Sequence, residues 1–188
     1  MDKVVLVPIA QGTEEMEAII IIDILRRAGV NVKVAGENQI VTCARGTKII
    51  PDIIIDQLEK DTIYSAIILP GGASGTENLQ NNPYLEEILK YNSGKGTLIG
   101  AVCAAPTILA RHKLIPVGSV ITSHPSVSSQ FDNYNYLTDT IVSDGQFITS
   151  RGAGTTLDFA LAVVSILVNQ AASDKISGDI QYKQYNTL

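Results

Sequence analysis

Apolar residues follow two rhythms in turn along this chain. Val4-Val5-Leu6-Val7-Pro8-Ile9 is a near-continuous apolar run, the pattern of a strand covered on both faces of a parallel sheet. Gln11-Gly12-Thr13 turns the chain, and the spacing becomes helical, with Ile20, Ile21, Ile24 and Ala28 on one stripe. Thr13 reads as the N-cap, Glu14 and Glu15 stand in the first turn where the helix dipole favours acids, and Gly29 after Arg26-Arg27 ends the helix. Glu17 falls on the apolar stripe, three and four residues before Ile20 and Ile21. A carboxylate is thereby set on a face that packs.

The alternation then repeats. Val30 to Val34 predicts a second strand, and Ile40 to Cys43 with Lys48 to Ile50 predicts a short hairpin around Arg45-Gly46. Ile63 to Leu69 predicts a buried strand ending in Pro70-Gly71-Gly72, followed by a helix from Pro83 to Lys90. Thr97 to Val102 predicts another strand, with a helix from Pro106 that ends near Arg111-His112-Lys113. Val120 to Thr122 reads as a strand leading into Ser123-His124-Pro125, and Ser126 to Tyr136 as a polar surface loop or short hairpin edge. Thr140 to Val142 and Phe147 to Thr149 flank the hairpin signal Ser143-Asp144-Gly145-Gln146. A long helix opens at Thr155 or Thr156 with Leu157, Ala160, Leu161, Val164 and Leu167 on one face, and the pattern weakens after Ala172.

Strands alternating with helices predict an α/β fold: a doubly wound, mostly parallel sheet with helices on both faces, in a single domain over residues 1–188. Ligands of such sheets bind beyond the carboxyl ends of the strands. Gln11 to Glu17, Gly71-Gly72, Cys103, His124 and Gly152 to Thr155 each follow a predicted strand and are expected to gather at one sheet edge.

Chemistry at that edge centres on Cys103. The apolar run ends there, and Ala104-Ala105-Pro106 begins a helix, so the cysteine occupies a strand-to-helix turn like a nucleophile elbow. The helix's unpaired N–H groups favour thiolate, which is expected to bring the thiol below its usual ~8.5. The same residue reads as well as one more buried small apolar side chain. Glu17, if buried, is expected to titrate high and to move protons, the alternative being a carboxylate that caps the helix or reaches water. The amides of Gly71, Gly72 and Ala104 are placed to receive an oxyanion. His124 is a candidate general base or a structural residue at a strand end, and His112 a solvated or capping residue. Gly152-Ala153-Gly154 is too short to read as a phosphate loop. No close His or Cys pair has metal-ligand spacing, so no metal is expected.

Composition narrows the partners. A net charge of −5 without a basic cluster argues against nucleic acid and against an anionic membrane surface. No apolar run approaches the roughly 18 residues of a membrane span. The opening residues do not read as a signal peptide, and two cysteines, Cys43 and Cys103, suit a reducing compartment, so a cytoplasmic protein is expected.

Taken together, Gly12-Thr13-Glu14-Glu15-Met16-Glu17, Arg26-Arg27-Ala28-Gly29, Leu69-Pro70-Gly71-Gly72, Ala101 to Thr107, Ser123-His124-Pro125 and Thr149 to Gly152 resemble the ThiJ/PfpI family, and within it the parkinsonism-associated deglycase branch. The resemblance covers nearly the whole chain. It implies a flavodoxin-like sandwich and a homodimer, with Cys103 as nucleophile and oxidation-sensitive thiol, Glu17 as its acid partner, Gly72 and Ala104 as backbone donors and His124 as a pocket residue. Arg27 and Arg45 match arginines of a dimer-side pocket, and Cys43 matches a cysteine read as structural or interfacial. Two departures stand out: Ala104 replaces the histidine of the peptidase branch, which lowers the peptidase reading, and Ala153 replaces a usual proline, which alters a pocket wall. The implied function is a cofactor-independent enzyme acting on 2-oxoaldehydes such as methylglyoxal, free or drawn from a glycated protein adduct. The alternative is a redox-sensing stress chaperone whose Cys103 is oxidised to sulfinate.

Overall fold

The computed structural model describes residues 4–182. Its main sheet is built from β1 (Val4–Ile9), β2 (Asn31–Gly36), β5 (Ile53–Ile54), β6 (Ala66–Leu69), β7 (Leu98–Val102), β10 (Ile141–Asp144) and β11 (Phe147–Ser150). The order is β10-β11-β7-β6-β1-β2-β5, parallel except for the β10–β11 hairpin. Two small sheets stand apart, β3 (Val41–Thr42) with β4 (Lys48–Ile49), and β8 (Val120–Ile121) with β9 (Asn135–Tyr136). Helices α1 (Glu15–Arg27), α5 (Thr156–Leu167) and α6 (Gln170–Asp179) cover one face, and α2 (Ala73–Gln80), α3 (Pro83–Ser93) and α4 (Pro106–Arg111) the other.

The period-2 geometry of a strand explains why a continuous apolar run suits β1. Val5, Val7 and Ile9 enter the core beneath α1 and α5, while Leu6 enters the opposite core with Leu85, Ile88 and Ile108. On α1 the buried residues are Glu17, Ala18, Ile21, Ile22, Ile24 and Leu25, so the stripe lies slightly to one side of the expected one and Ile20 and Ala28 are only half-buried.

From β1 the chain winds outward to β2 and β5, then returns to β6 on the other side of β1. The direction of winding reverses between β1 and β6. A crevice opens at such a reversal, beyond the carboxyl ends of the strands, and Glu17 follows β1 while Gly71 follows β6. Cys103 follows β7, the next strand over.

Several elements depart from the sequence expectations for local reasons. Thr13 does not cap α1; its Oγ1 accepts the Ala10 amide at 3.0 Å instead. The strand expected from Ile63 begins only at Ala66, because the Asn92 side chain takes over the preceding backbone, accepting from Tyr64 N–H and donating to Thr62 C=O, both at 3.0 Å. Val120–Ile121 pairs with β9 rather than with the main sheet. The segment expected as a polar surface loop or short hairpin edge starts as a 3₁₀ helix, Pro125–Phe131, anchored by Phe131, which is buried and stacks on Tyr136 at 5.9 Å, and ends in the short strand β9, which pairs in parallel with β8. His112 is neither solvated nor loose: its side chain is 7% exposed and Nδ1 meets Glu86 Oε1 at 3.2 Å. Helices α2 and α6 carry too little apolar periodicity to be read from sequence; α6 buries only Ser173 and Ile176.

Candidate active site

Cys103 has φ +64°, the left-handed region that a side chain adopts at a cost. Two backbone hydrogen bonds hold it there: its N–H donates to Ser150 C=O at 3.0 Å, and its C=O accepts from His124 N–H at 2.7 Å. The turn is therefore tied to the end of β11 and to the segment after β8. The cysteine side chain is only partly buried and faces a cavity of about 520 Å³ with Glu17, Arg45, Gly72, Ala104, His124 and Ala153 in its wall.

Glu17 is completely buried. Gly71 N–H donates to its Oε2 at 2.7 Å, while its Oε1 is buried without a partner. Burial pushes the carboxyl up to about 7, against the pull of the Gly71 amide and of Cys103. Burial also pushes the Cys103 thiol up, and the negative charge of Glu17 adds to it, to about 12; the Gly72 and Ala104 amides pull the other way. Burial and the Glu17 charge thus work against the depressed thiol that the sequence suggests, while the Gly72 and Ala104 amides work for it. α4 is six residues long, and its end effect is outweighed by desolvation and a neighbouring carboxylate. Two groups this close titrate as a pair. Between the two steps the pair carries one charge and one proton, and moving that proton from sulfur to carboxyl oxygen makes a thiolate beside a neutral acid.

Close approach is what requires glycine at position 71. A Cβ there would lie 2.6 Å from Cys103 Cβ, 2.8 Å from Glu17 Oε2 and 2.8 Å from the Val102 carbonyl oxygen. The last of these is backbone and cannot yield. Gly71→Ala is expected to lower stability by about 1–3 kcal/mol, the usual cost of overpacking, and to displace both reactive side chains; urea unfolding alongside an activity assay checks both effects.

The other sequence candidates are distributed as follows. His124 Nδ1 accepts the Ser126 amide at 3.2 Å and lies 2.7 Å from Ser126 Oγ. Both contacts engage Nδ1, and His124 stands in the cavity wall with Cys103. Arg45 is exposed at the rim, its backbone N–H donating to Glu15 Oε1 and Oε2 at 3.0 Å each, which pins the β3–β4 loop to the start of α1. Ala153 begins a 3₁₀ turn in the wall. Arg27 stands apart: it lies in the last turn of α1, paired with Asp23 at 2.6 Å, ten residues and therefore about 15 Å along the axis from Glu17. Cys43 is buried beside the hairpin, and burial pushes its thiol up to about 11. Thr76, Gln80, Ser126 and Gln130 also line the cavity. Sequence reasoning missed the first two because they belong to α2.

Comparison with known proteins gives consistent matches. Residues 3–166 match the DJ-1/PfpI family. Protein dj-1beta of Drosophila melanogaster is 41% identical over 181 residues, 94% of this chain and 96% of the relative. A glutathione-independent glyoxalase, DJR-1.2 of Caenorhabditis elegans, is 38% identical over 160 residues, 84% of each chain. The crystal structure of Drosophila melanogaster DJ-1beta superposes with a TM-score of 0.93 at 39% identity, covering 98% of this chain and 100% of the other. The solved structure of oxidized Toxoplasma gondii DJ-1 does so with a TM-score of 0.90 at 33% identity, covering 97% of this chain and 100% of the other.

Proposed function

The chain belongs to the DJ-1/PfpI (ThiJ/PfpI) family, and from that premise we propose that it is a cofactor-independent cysteine enzyme that converts 2-oxoaldehydes such as methylglyoxal into 2-hydroxyacids in the response to carbonyl stress. One observation carries the reading above the rest. The fully buried Glu17 carboxyl, held through Oε2 by the Gly71 amide, meets through a hydrogen bond the side chain of a cysteine in left-handed backbone. The glyoxalase name of the nematode relative agrees with it.

The chemistry needs only groups already in place. Cys103 sulfur adds to the aldehyde carbon while its proton passes to Glu17, a proton carrier matched to neutral pH by its value near 7. The amides of Gly72 and Ala104 receive the developing oxyanion, which is then protonated to give a hemithioacetal. The hydrogen on that carbon is made acidic by the adjacent ketone. Glu17 removes it and a proton returns to the former ketone carbon through an enediol, so that one carbon is oxidised as its neighbour is reduced. Water hydrolyses the resulting thioester, releasing the 2-hydroxyacid and the thiol. His124, in the same cavity wall, is placed to share in the proton transfers at these oxygens. Action on glycated proteins would be the same chemistry, drawing free aldehyde from a reversible adduct.

Reduced protein given methylglyoxal without glutathione is expected to form hydroxyacid many times over per chain, measured as lactate. The absence of turnover would overturn the reading. A second reading, a redox sensor, is favoured by the oxidized state of the Toxoplasma gondii relative and by the acid beside the sulfur, which would donate to a sulfinate. It becomes the better account if the reduced protein is inert yet Cys103 gains two oxygens under mild peroxide while buried Cys43 does not.

A further inference from the structure

Among the described residues, three buried polar side-chain atoms lack a hydrogen-bond partner: Glu17 Oε1, Thr76 Oγ1 and His112 Nε2. The first two belong to side chains that line the same cavity as Cys103. An unmade hydrogen bond of this kind costs the full desolvation of the group, and at Thr76 it stands in the wall of the cavity that holds Cys103. Glu17 is absorbed by the proton chemistry already described. Thr76 is not.

Thr76 is 4% exposed and lies in the first turns of α2. A threonine inside a helix usually turns its hydroxyl back on the carbonyl four residues earlier. Here that carbonyl, of Gly72, accepts the Thr76 amide at 2.8 Å and the hydroxyl makes no bond. Residues four apart share a helix face, and each Cα–Cβ bond tilts towards the helix N-terminus. Thr76 thus leans over Gly72, whose amide acts on the Cys103 sulfur. A 2-oxoaldehyde bonded through its aldehyde carbon to that sulfur carries its second oxygen on the very next carbon.

We propose that the Thr76 hydroxyl binds the C2 oxygen of the substrate and makes the site selective for 1,2-dicarbonyls over simple aldehydes. The inference rests on the aldehyde reading above and adds a specificity residue to it. The bound oxygen accepts from Oγ1 as a ketone, and the hydroxyl keeps a partner as that oxygen becomes the product's hydroxyl.

The test compares wild type, Thr76→Val, which keeps the shape and removes the hydroxyl, and Thr76→Ser, which restores it. Methylglyoxal is the substrate, and propanal, which has no second oxygen, serves as a reversible inhibitor through its hemithioacetal. Thr76→Val is expected to lose roughly tenfold in kcat/KM for methylglyoxal, to bind propanal unchanged, and to unfold in urea at the same midpoint as wild type or a higher one, since a buried orphan hydroxyl is gone. Thr76→Ser is expected to recover most of the loss. A Thr76→Val protein with unaltered kcat/KM would overturn the assignment. So would one that loses methylglyoxal turnover and propanal binding together with stability, which is the signature of a merely structural residue. Wild type that never turns over would instead remove the aldehyde reading, and this inference with it.

Discussion

Cys103→Ala is expected to abolish multiple-turnover hydroxyacid formation, a loss of at least about a thousandfold, because every step after the first takes place on a carbon bonded to that sulfur. Rate and stability should separate in a telling way. Backbone hydrogen bonds hold position 103 at φ +64°, so alanine is expected to retain the steric penalty of a Cβ in left-handed backbone, and glycine to escape it. Cys103→Gly is therefore expected to be as inactive as Cys103→Ala yet more stable than it by about 1 kcal/mol. Lactate formation and urea denaturation on the two variants measure this. Equal stability would mean that the elbow stores no strain, and residual turnover in either variant would mean that Glu17 alone can run the reaction on free methylglyoxal.

Much of this was legible in the sequence. The change from strand to helix period at Cys103, with proline three residues on, located the elbow, and the position of Glu17 on an apolar stripe foretold a buried carboxyl. These signals are local, and local pattern is what a sequence displays. The thiol's upward shift was not legible, since it depends on Glu17, 86 positions away in the chain, and on the depth at which both groups end up. Thr76 was invisible for another reason. Its helix, Ala73–Gln80, contains Gly75 and buries only Gly75, Thr76 and Leu79, so no apolar period announces it. Gly75 is there because a Cβ would come within 2.5 Å of the Thr13 backbone: close packing against the first loop, rather than propensity, sets that residue. Of the two expectations for His112, the cap holds, since it ends α4, while solvation does not, because a polar residue at a helix end reads as solvated until the neighbouring Glu86 is seen.

The second large effect concerns Glu17, where activity and stability are expected to move in opposite directions. Wild-type turnover should rise with pH through an apparent value near 7, as the Glu17–Cys103 pair loses its first proton and gains the single charge that the reaction needs. Glu17→Gln removes the proton carrier; kcat is expected to fall about 10²–10⁴-fold and the limb near 7 to disappear. Stability works the other way. Because burial raises the folded carboxyl from its ordinary 4.5 to about 7, its contribution is fully present below about 4.5 and is lost as pH rises through 7, a change of about 3 kcal/mol in all. Glutamine stays neutral throughout. At pH 8 the variant should therefore resist urea better than wild type by up to about 3 kcal/mol, with the advantage shrinking towards pH 5, where the wild-type carboxyl is itself mostly protonated. A variant less stable than wild type at pH 8 would place the net charge of the pair on a favourable footing and remove the carboxylate as the source of the pH limb. The expected result makes the buried acid a group kept for its proton chemistry at the expense of the fold.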